Sequence, residues 1–505
     1  MGRIRTTAAY FRLRVLTPVH VGCGQDLDPF HYFLEDGKLH VISFSRFVSG
    51  LSEELRSEFM SLVSGNSVLE LRKFLFAHAD AKRDALYSID VHPKFIEKYR
   101  SRLGSVKNRM DILAFFRSGL AHRPIIPGSS IKGAIRTAIL DARKPNHRLN
   151  LAPGKYKAKE LEAKILGNWN QKNRPNISRD PFKTFGVTDA PLPLNGTVVA
   201  RVVNYKTTRD DRHPMDVELA RGAFGSKEEP AAPVKLLFPG TKDSGVKRPL
   251  VLNEIMDACN SFSSDILDYE ERKFFQDARF KPVMAWLKKI RDNINPNTQC
   301  LLRLGRFSQA ESKTIPGYRH IQIDPKDKNK WSHEGTARNI LVDGTPLGWC
   351  LLEQIDENDY RKWESRILEE DENRLKAWSV EEAGKQAMLK KQVEEERLQR
   401  LKQEKEAEEA RKKKEAKEKA RREREKIIDG MPPEDQMIER LPEMSRQETM
   451  EDVFLNMDQI EDDAKKREVA EALKQRWKAL DSWGGKQSKK QQKKVQAVKD
   501  ILGES

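Results

Sequence analysis

The amino-acid sequence predicts an α+β body, then a charged single helix, then a small helical C-terminal region. Three observations carry that division. Up to about Gln354, short period-two strands and tight turns alternate with amphipathic stretches of 3.6-residue period. From about Glu381 the composition narrows to Glu, Lys, Arg, Gln and Ala. Beyond about Ser445 apolar residues return within helical stretches.

The first strand is read from Phe11, Leu13 and Val15, which alternate with Arg12 and Arg14 as a half-buried strand requires. This alternation over Tyr10–Leu16, with no small-residue cleavage site after it, argues against a signal peptide. Thr17-Pro18-Val19-His20-Val21-Gly22-Cys23-Gly24 follows, a turn whose two glycines allow close approach of a partner. Asp36-Gly37, flanked by His31–Glu35 and Lys38–Ile42, signals a two-residue hairpin. Helical spacing recurs over Glu53–Val63 and Val68–Ala77. Pro124–Ile126 reads as a short strand feeding the Pro127-Gly128 turn. The helix Ile131–Leu140 comes next, with Ile131, Ala134, Ile135, Ala138 and Ile139 on one face and Ser129 and Ser130 as its natural N-caps.

Residues 146–181 are basic, polar and rich in Asn and Pro, and read as a long insertion. Strands are expected again at Phe185–Thr188, Thr197–Asn204, Val217–Ala220, Gln299–Leu304 and Trp349–Glu353, with helices near Leu250–Cys259 and Ser264–Phe275. Within Glu381–Lys426 the apolar residues disappear after Leu401, so the a and d positions of a coiled coil are missing. An isolated helix laced with i,i+4 ion pairs is the expectation, a rod rising about 1.5 Å per residue. It should be separable by truncation near Gln354. Asp429-Gly430-Met431-Pro432-Pro433 ends it, and Val453, Phe454, Leu473, Trp477, Leu480 and Trp483 supply a small bundle.

The 93 Lys and Arg exceed the 77 Asp and Glu, a formal charge of +16, and the pI is about 9.4. That surplus fits a polyanion, most often nucleic acid, although a charge run on a solvated helix gives the same total. With 38% hydrophobic and 34% charged residues the chain is too polar for one compact globule. Cys23, Cys259, Cys300 and Cys350 form no CxxC pair. Neither a zinc site nor a disulfide scaffold is therefore expected, and a reducing, cytoplasmic setting without cofactors is. No apolar run approaches the roughly 20 residues of a membrane span. No HExxH, DxD or Ser/His/Asp order is present, so no catalytic or metal residue is assigned.

Three constellations are candidates for contact with a nucleic-acid backbone. Ser129, Ser130, Lys132, Gly133 and Arg136 sit at a glycine turn and helix N-terminus, where backbone N–H groups favour phosphate. Lys132 and Arg136 are i,i+4 neighbours opposite the isoleucines, and are read as exposed. His20, Gly22 and Gly24 form the second set; a lone histidine lacks the partner that general base work requires. Arg303 and Arg306, beside Gly305 at the end of a strand, are the third.

Together these segments resemble a known family. TPVHVGCG (Thr17–Gly24), IPGSSIKGAIRTAIL (Ile126–Leu140), FGVTDA (Phe185–Ala190), LRLGRFS (Leu302–Ser308) and GTPLGWCLLE (Gly344–Glu353) look like the RAMP superfamily of CRISPR proteins, in its Csm group. The resemblance covers the chain to about Gln354; the tail after Asp356 departs from the usual short end of such proteins. It implies tandem ferredoxin-like (RRM-like) domains over residues 1–212, with the insertion, and 213–355. A helical linker, 356–430, and a helical region, 431–505, would follow. The implied role is a non-catalytic subunit that caps the crRNA 3′ end in a type III-A effector complex and serves crRNA maturation. Implied partners are crRNA, neighbouring RAMP backbone subunits, a small helical subunit and the target RNA. No RNP1-like aromatic string is present, so sequence-tolerant backbone binding is expected. Two other readings stay open: a metal-independent endoribonuclease using His20, and an interaction scaffold acting through the helical tail.

Overall fold

A computed structural model gives the architecture. It describes residues 7–65, 67–102, 110–119, 121–150, 157–168, 175–208, 214–226, 229–238, 240, 246–322, 327, 330–484 and 488–504. The chain forms two compact units, Met1–Val380 and Glu381–Ser505.

The strand Thr7–Val15 lies inside a five-stranded sheet. Ala231–Phe238 pairs with it on one side and Trp349–Gln354 on the other, both antiparallel; Gly186–Val187 and Gln299–Arg303 are the edges. Phe11, Leu13 and Val15 are fully buried, as the alternation demands. Two helices, Gly128–Arg143 and Leu252–Lys273, pack on this sheet and share its core through Ile131, Ile135, Ile139, Ile255, Phe262 and Ile266. In chain order the elements run strand, helix, strand, strand, helix, strand, with Gln299–Arg303 added at the edge beside the last.

A second sheet runs in the order Gly22–Leu27, Ile112–Phe115, Met215–Ala220, Thr197–Tyr205, Ala85–Val91, Lys38–Ile42, Tyr32–Glu35. The strand Arg338–Leu341 also pairs with Thr197–Tyr205. Its hairpin turns at Asp36 and Gly37, φ 47° and 73°, the doubly positive φ that Asp-Gly tolerates.

Several expectations need correction. Residue 212 lies outside the described residues, but the boundary expected there is no seam: each sheet takes strands from both sides of it. The segment 146–181 is not merely a polar insertion. Its helix Lys157–Leu166 puts Leu161, Ile165 and Leu166 into the main core, while 151–156 and 169–174 lie outside the described residues. The helices expected near Leu250–Cys259 and Ser264–Phe275 are one, Leu252–Lys273, because Ser261, Ser263 and Ser264 do not break it.

The body also extends past residue 355. A helix spans Glu357–Asp429, and its first turns belong to the first unit. Arg123, 1% exposed, donates to Glu370 Oε2 at 2.9 Å and Asp371 Oδ1 at 2.7 Å. Tyr360 packs at a tilt against Tyr10, Arg374 donates to the Leu86 carbonyl, and Arg46 lies 4.2 Å over the Trp378 ring. Truncation near Gln354 would therefore cut into the body. From Val393 to Lys426 the side chains are exposed, with i,i+4 pairs such as Glu408–Lys412 and Glu418–Arg422, both at 2.8 Å.

In the second unit Val453, Leu473 and Trp477 are buried among Pro433–Arg440, Asp463–Ala479 and Lys489–Leu502, with Phe454 and Trp483 against them. Leu480 instead terminates the helix Asp463–Ala479. Among the described residues no helix is long and apolar enough to cross a membrane.

Candidate nucleic-acid interface

After Val15 the chain passes between the two sheets, and backbone hydrogen bonds tie two distant segments to it. Leu16 N donates to Trp349 O at 2.9 Å, Gly348 N to Pro18 O at 2.9 Å and Arg306 N to His20 O at 2.8 Å. This packing needs glycine. Gly305 and Gly348 have φ of 87° and 100°, and a Cβ would overlap the His20 carbonyl in one case and the Leu304 carbonyl in the other.

The helix Gly128–Arg143 closes the site from another side. Its N-cap is Pro127; Ser129 and Ser130 lie in the first turn, not at the cap expected for them. Gly128 is buried so tightly that a Cβ would overlap the Val187 and Thr188 carbonyls, and its N–H donates to Asp189 Oδ1 at 2.8 Å. A carboxylate already sits where the N-terminal cradle was expected to hold phosphate, so that contact is lost as a phosphate site.

What remains is a groove of about 550 Å³. Gly22, Gly24, Ser129, Ser130, Gly133, Thr137, Gly305, Arg306, Ser308, Ser312 and Lys313 line it. The arrangement is small residues and hydroxyls with two cations. Arg306 is exposed and its guanidinium has no ion pair among the described residues. Lys313 donates to the Arg306 carbonyl at 3.0 Å; burial lowers its pKa, and the charges of Arg303 and Arg306 lower it further. Such a surface suits a phosphodiester backbone that must come close, with little to read a base.

The expected residues divide sharply. Gly22, Gly24, Ser129, Ser130, Gly133 and Arg306 meet in the groove. His20 lies beneath it, 1% exposed, with Nδ1 donating to the Glu218 carbonyl at 2.8 Å and Nε2 3.0 Å from where a Gly22 Cβ would stand. Burial holds its pKa below the usual histidine value, against the pull of that carbonyl, so the ring is a neutral support. Arg303 touches the groove only at its base, since its buried guanidinium is paired with Glu270. Lys132 and Arg136 point elsewhere. Lys132 Nζ donates to Phe185 O at 2.6 Å; Arg136 pairs with Glu162 at 2.6 Å and Asp180 at 2.8 Å and lies over the Phe182 ring.

Sequence reasoning missed Thr137, Ser312 and Lys313. For Thr137 a signal existed: Ser130, Gly133 and Thr137, at i, i+3 and i+7, form a small polar stripe beside the isoleucine face. Lys313 carries no periodic signal.

The RAMP superfamily profile matches residues 12–489. The chain belongs to the RAMP superfamily. It is similar to the CRISPR system Cms protein Csm5 of Methanocaldococcus jannaschii, 27% identical over 335 residues, which are 60% of this chain and 72% of that protein. A chain in the cryo-EM structure of a Csm–crRNA–target RNA ternary complex, from a type III-A CRISPR-Cas system, shares the fold. Its TM-score is 0.51 at 22% identity, covering 69% of this chain and all of that one. The crystal structure of T. onnurineus Csm5 gives a TM-score of 0.44 at 19% identity, covering 67% and 99%.

Proposed function

We propose that this RAMP protein is a non-catalytic crRNA-binding subunit of a type III-A CRISPR effector ribonucleoprotein. In this reading it caps the crRNA 3′ end and is needed for crRNA maturation. Its partners are neighbouring RAMP backbone subunits, the small helical subunit, crRNA and the target RNA. The observation that carries the reading is the groove, where glycines, hydroxyls and the exposed cation Arg306 converge from segments far apart in sequence. Contacts of that kind hold any guide, because they meet the backbone. The five-stranded sheet, with its strand-helix-strand-strand-helix-strand order, is read as one ferredoxin-like (RRM-like) unit built from both halves of the body. The burial of His20 beneath Gly22 favours holding over cutting, since a general base must reach its proton.

Sequencing of crRNAs from complexes assembled with and without the protein tests this. Without it, crRNAs should be longer or ragged at the 3′ end and intact at the 5′ end. Normal 3′ ends, or damage confined to the 5′ side, would move the protein to another place in the complex. Purified protein should leave labelled precursor RNA uncut.

A further inference from the structure

A second cavity, of about 760 Å³, opens between the helices Gly128–Arg143 and Lys157–Leu166, the segment 313–320 and His333. Thr137 and Lys313 line it and the groove alike, so the two meet at those side chains. Its volume suits one small organic ligand.

The lining is rich in positive charge. Glu162 supplies a carboxylate, but Arg136 already takes it at 2.6 Å. Arg148 is exposed and has no ion pair among the described residues. Arg319 is half-buried: one guanidinium nitrogen reaches the Glu311 carbonyl at 3.2 Å, while its buried Nε has no hydrogen-bond partner among the described residues. With Lys313, three cations face a cavity whose one lining carboxylate among the described residues is spent, and burial lowers the pKa of both Lys313 and Arg319. An anion would relieve that. The same wall offers a flat surface. His320 stacks on Trp331 with ring centroids 4.0 Å apart and planes 16° from parallel, and Tyr318 is pinned by accepting from Leu149 N at 2.7 Å.

Resting on the RNA-binding reading above, we propose that this cavity takes one ribonucleotide of the strand held in the groove. Arg148, Lys313 and Arg319 meet its phosphate, and His320, backed by Trp331, stacks on its base. The cavity thereby sets the direction in which the strand leaves the groove.

The test uses the full chain, with fluorescence anisotropy of labelled single-stranded RNA and calorimetry with AMP. Arg148→Ala combined with His320→Ala should weaken RNA binding about tenfold, with an unchanged melting temperature. RNA carrying 4-thiouridine should cross-link to the peptide containing Tyr318 and His320 in the unsubstituted protein, and less in the variant. If the variant binds RNA normally and no cross-link forms, while Arg306→Ala weakens binding, the groove stands and the nucleotide cavity falls. If AMP binds tightly and the variant loses only that, the cavity serves a free nucleotide and strand delivery is overturned. If no single-stranded RNA binds the unsubstituted chain, both readings fall together.

Discussion

Replacing Arg306 with alanine should weaken single-stranded RNA binding and spare the fold. The guanidinium is exposed and makes no ion pair among the described residues, and the backbone bond from Arg306 N to His20 O survives the change. One lost phosphate contact to a single strand lowers the slope of log affinity against log salt by about 0.7. The deficit at 50 mM salt should then exceed that at 200 mM by roughly 2.6-fold. For an exposed charged contact the mean loss is about 1 kcal/mol, or roughly fivefold. Anisotropy titrations at several salt concentrations read both numbers. The companion variant is Arg303→Ala, three residues earlier on the same segment. Its guanidinium is buried against Glu270, so truncation leaves a buried carboxylate with Arg338 as its remaining ion-pair partner at 2.6 Å. Because Glu270 keeps Arg338, the loss is that of one charged contact, about 1.5–3 kcal/mol, read as a lower denaturant midpoint. Unchanged affinity and slope for Arg306→Ala would show that the strand does not touch this groove. An Arg303→Ala protein as stable as the parent would show that the buried network is not structural.

Four further outcomes are expected. A Cβ on Gly133 meets nothing within 4 Å, so Gly133→Ala should stabilise the helix by about 0.5–1 kcal/mol in thermal melts yet weaken RNA binding, as its methyl enters the groove; unchanged affinity would take the strand off this stripe. Arg136→Ala should cost about 1–2 kcal/mol, because Glu162, Asp180 and the Phe182 ring lose their shared partner; an unchanged denaturant midpoint would show that this cluster is not structural. His20 has a folded pKa below its unfolded value, so the unfolded chain takes up a proton first as pH falls. Stability is full above about pH 6.5 and declines below it; denaturant midpoints at pH 7.5 and 5.5 should differ less in His20→Gln, and an equal drop would clear His20 as the cause. Truncation after Val380 should leave a folded body, while truncation after Gln354 strands buried Arg123 without Glu370 and Asp371; equal solubility and melting of the two products would count against that docking.

The parts of the fold legible in the sequence were those set by neighbours. Phe11, Leu13 and Val15 announce their strand, Asp36-Gly37 its turn, and Ile131 to Ile139 a helix face, because period and turn chemistry are local. The choice of partner is not. Nothing near Thr7–Val15 says that Ala231–Phe238 and Trp349–Gln354 will flank it, and the Ala-Ala-Pro opening of the former hides a strand. Its Pro233 is tolerated because Gly186–Val187 pairs only further along, at Leu236 and Leu237, so no ladder bond is lost there. Cations were the least legible. Whether an arginine is solvated or buried depends on a distant carboxylate: Glu270 for Arg303, Glu162 and Asp180 for Arg136, Glu370 and Asp371 for Arg123.

Glycine shows the same divide within the site. Gly128, Gly305 and Gly348 are needed by the protein itself, since a Cβ at each would overlap a backbone carbonyl. Gly24 and Gly133 meet nothing within 4 Å, so packing against this chain does not require them. In sequence the two kinds are identical, and a glycine-rich motif reads as one signal. In the folded chain the first kind draws the segments together, and the second leaves the groove bare. Gly24 also holds a φ of 82°, which gives it a conformational reason of its own. Gly133 has none: it sits inside a helix, where alanine would be more stable. A residue that costs stability and fills no steric need of the fold is best explained by what approaches it from outside, and on the RNA-binding reading proposed above the closest passage of the strand is over the Ser130, Gly133 and Thr137 stripe.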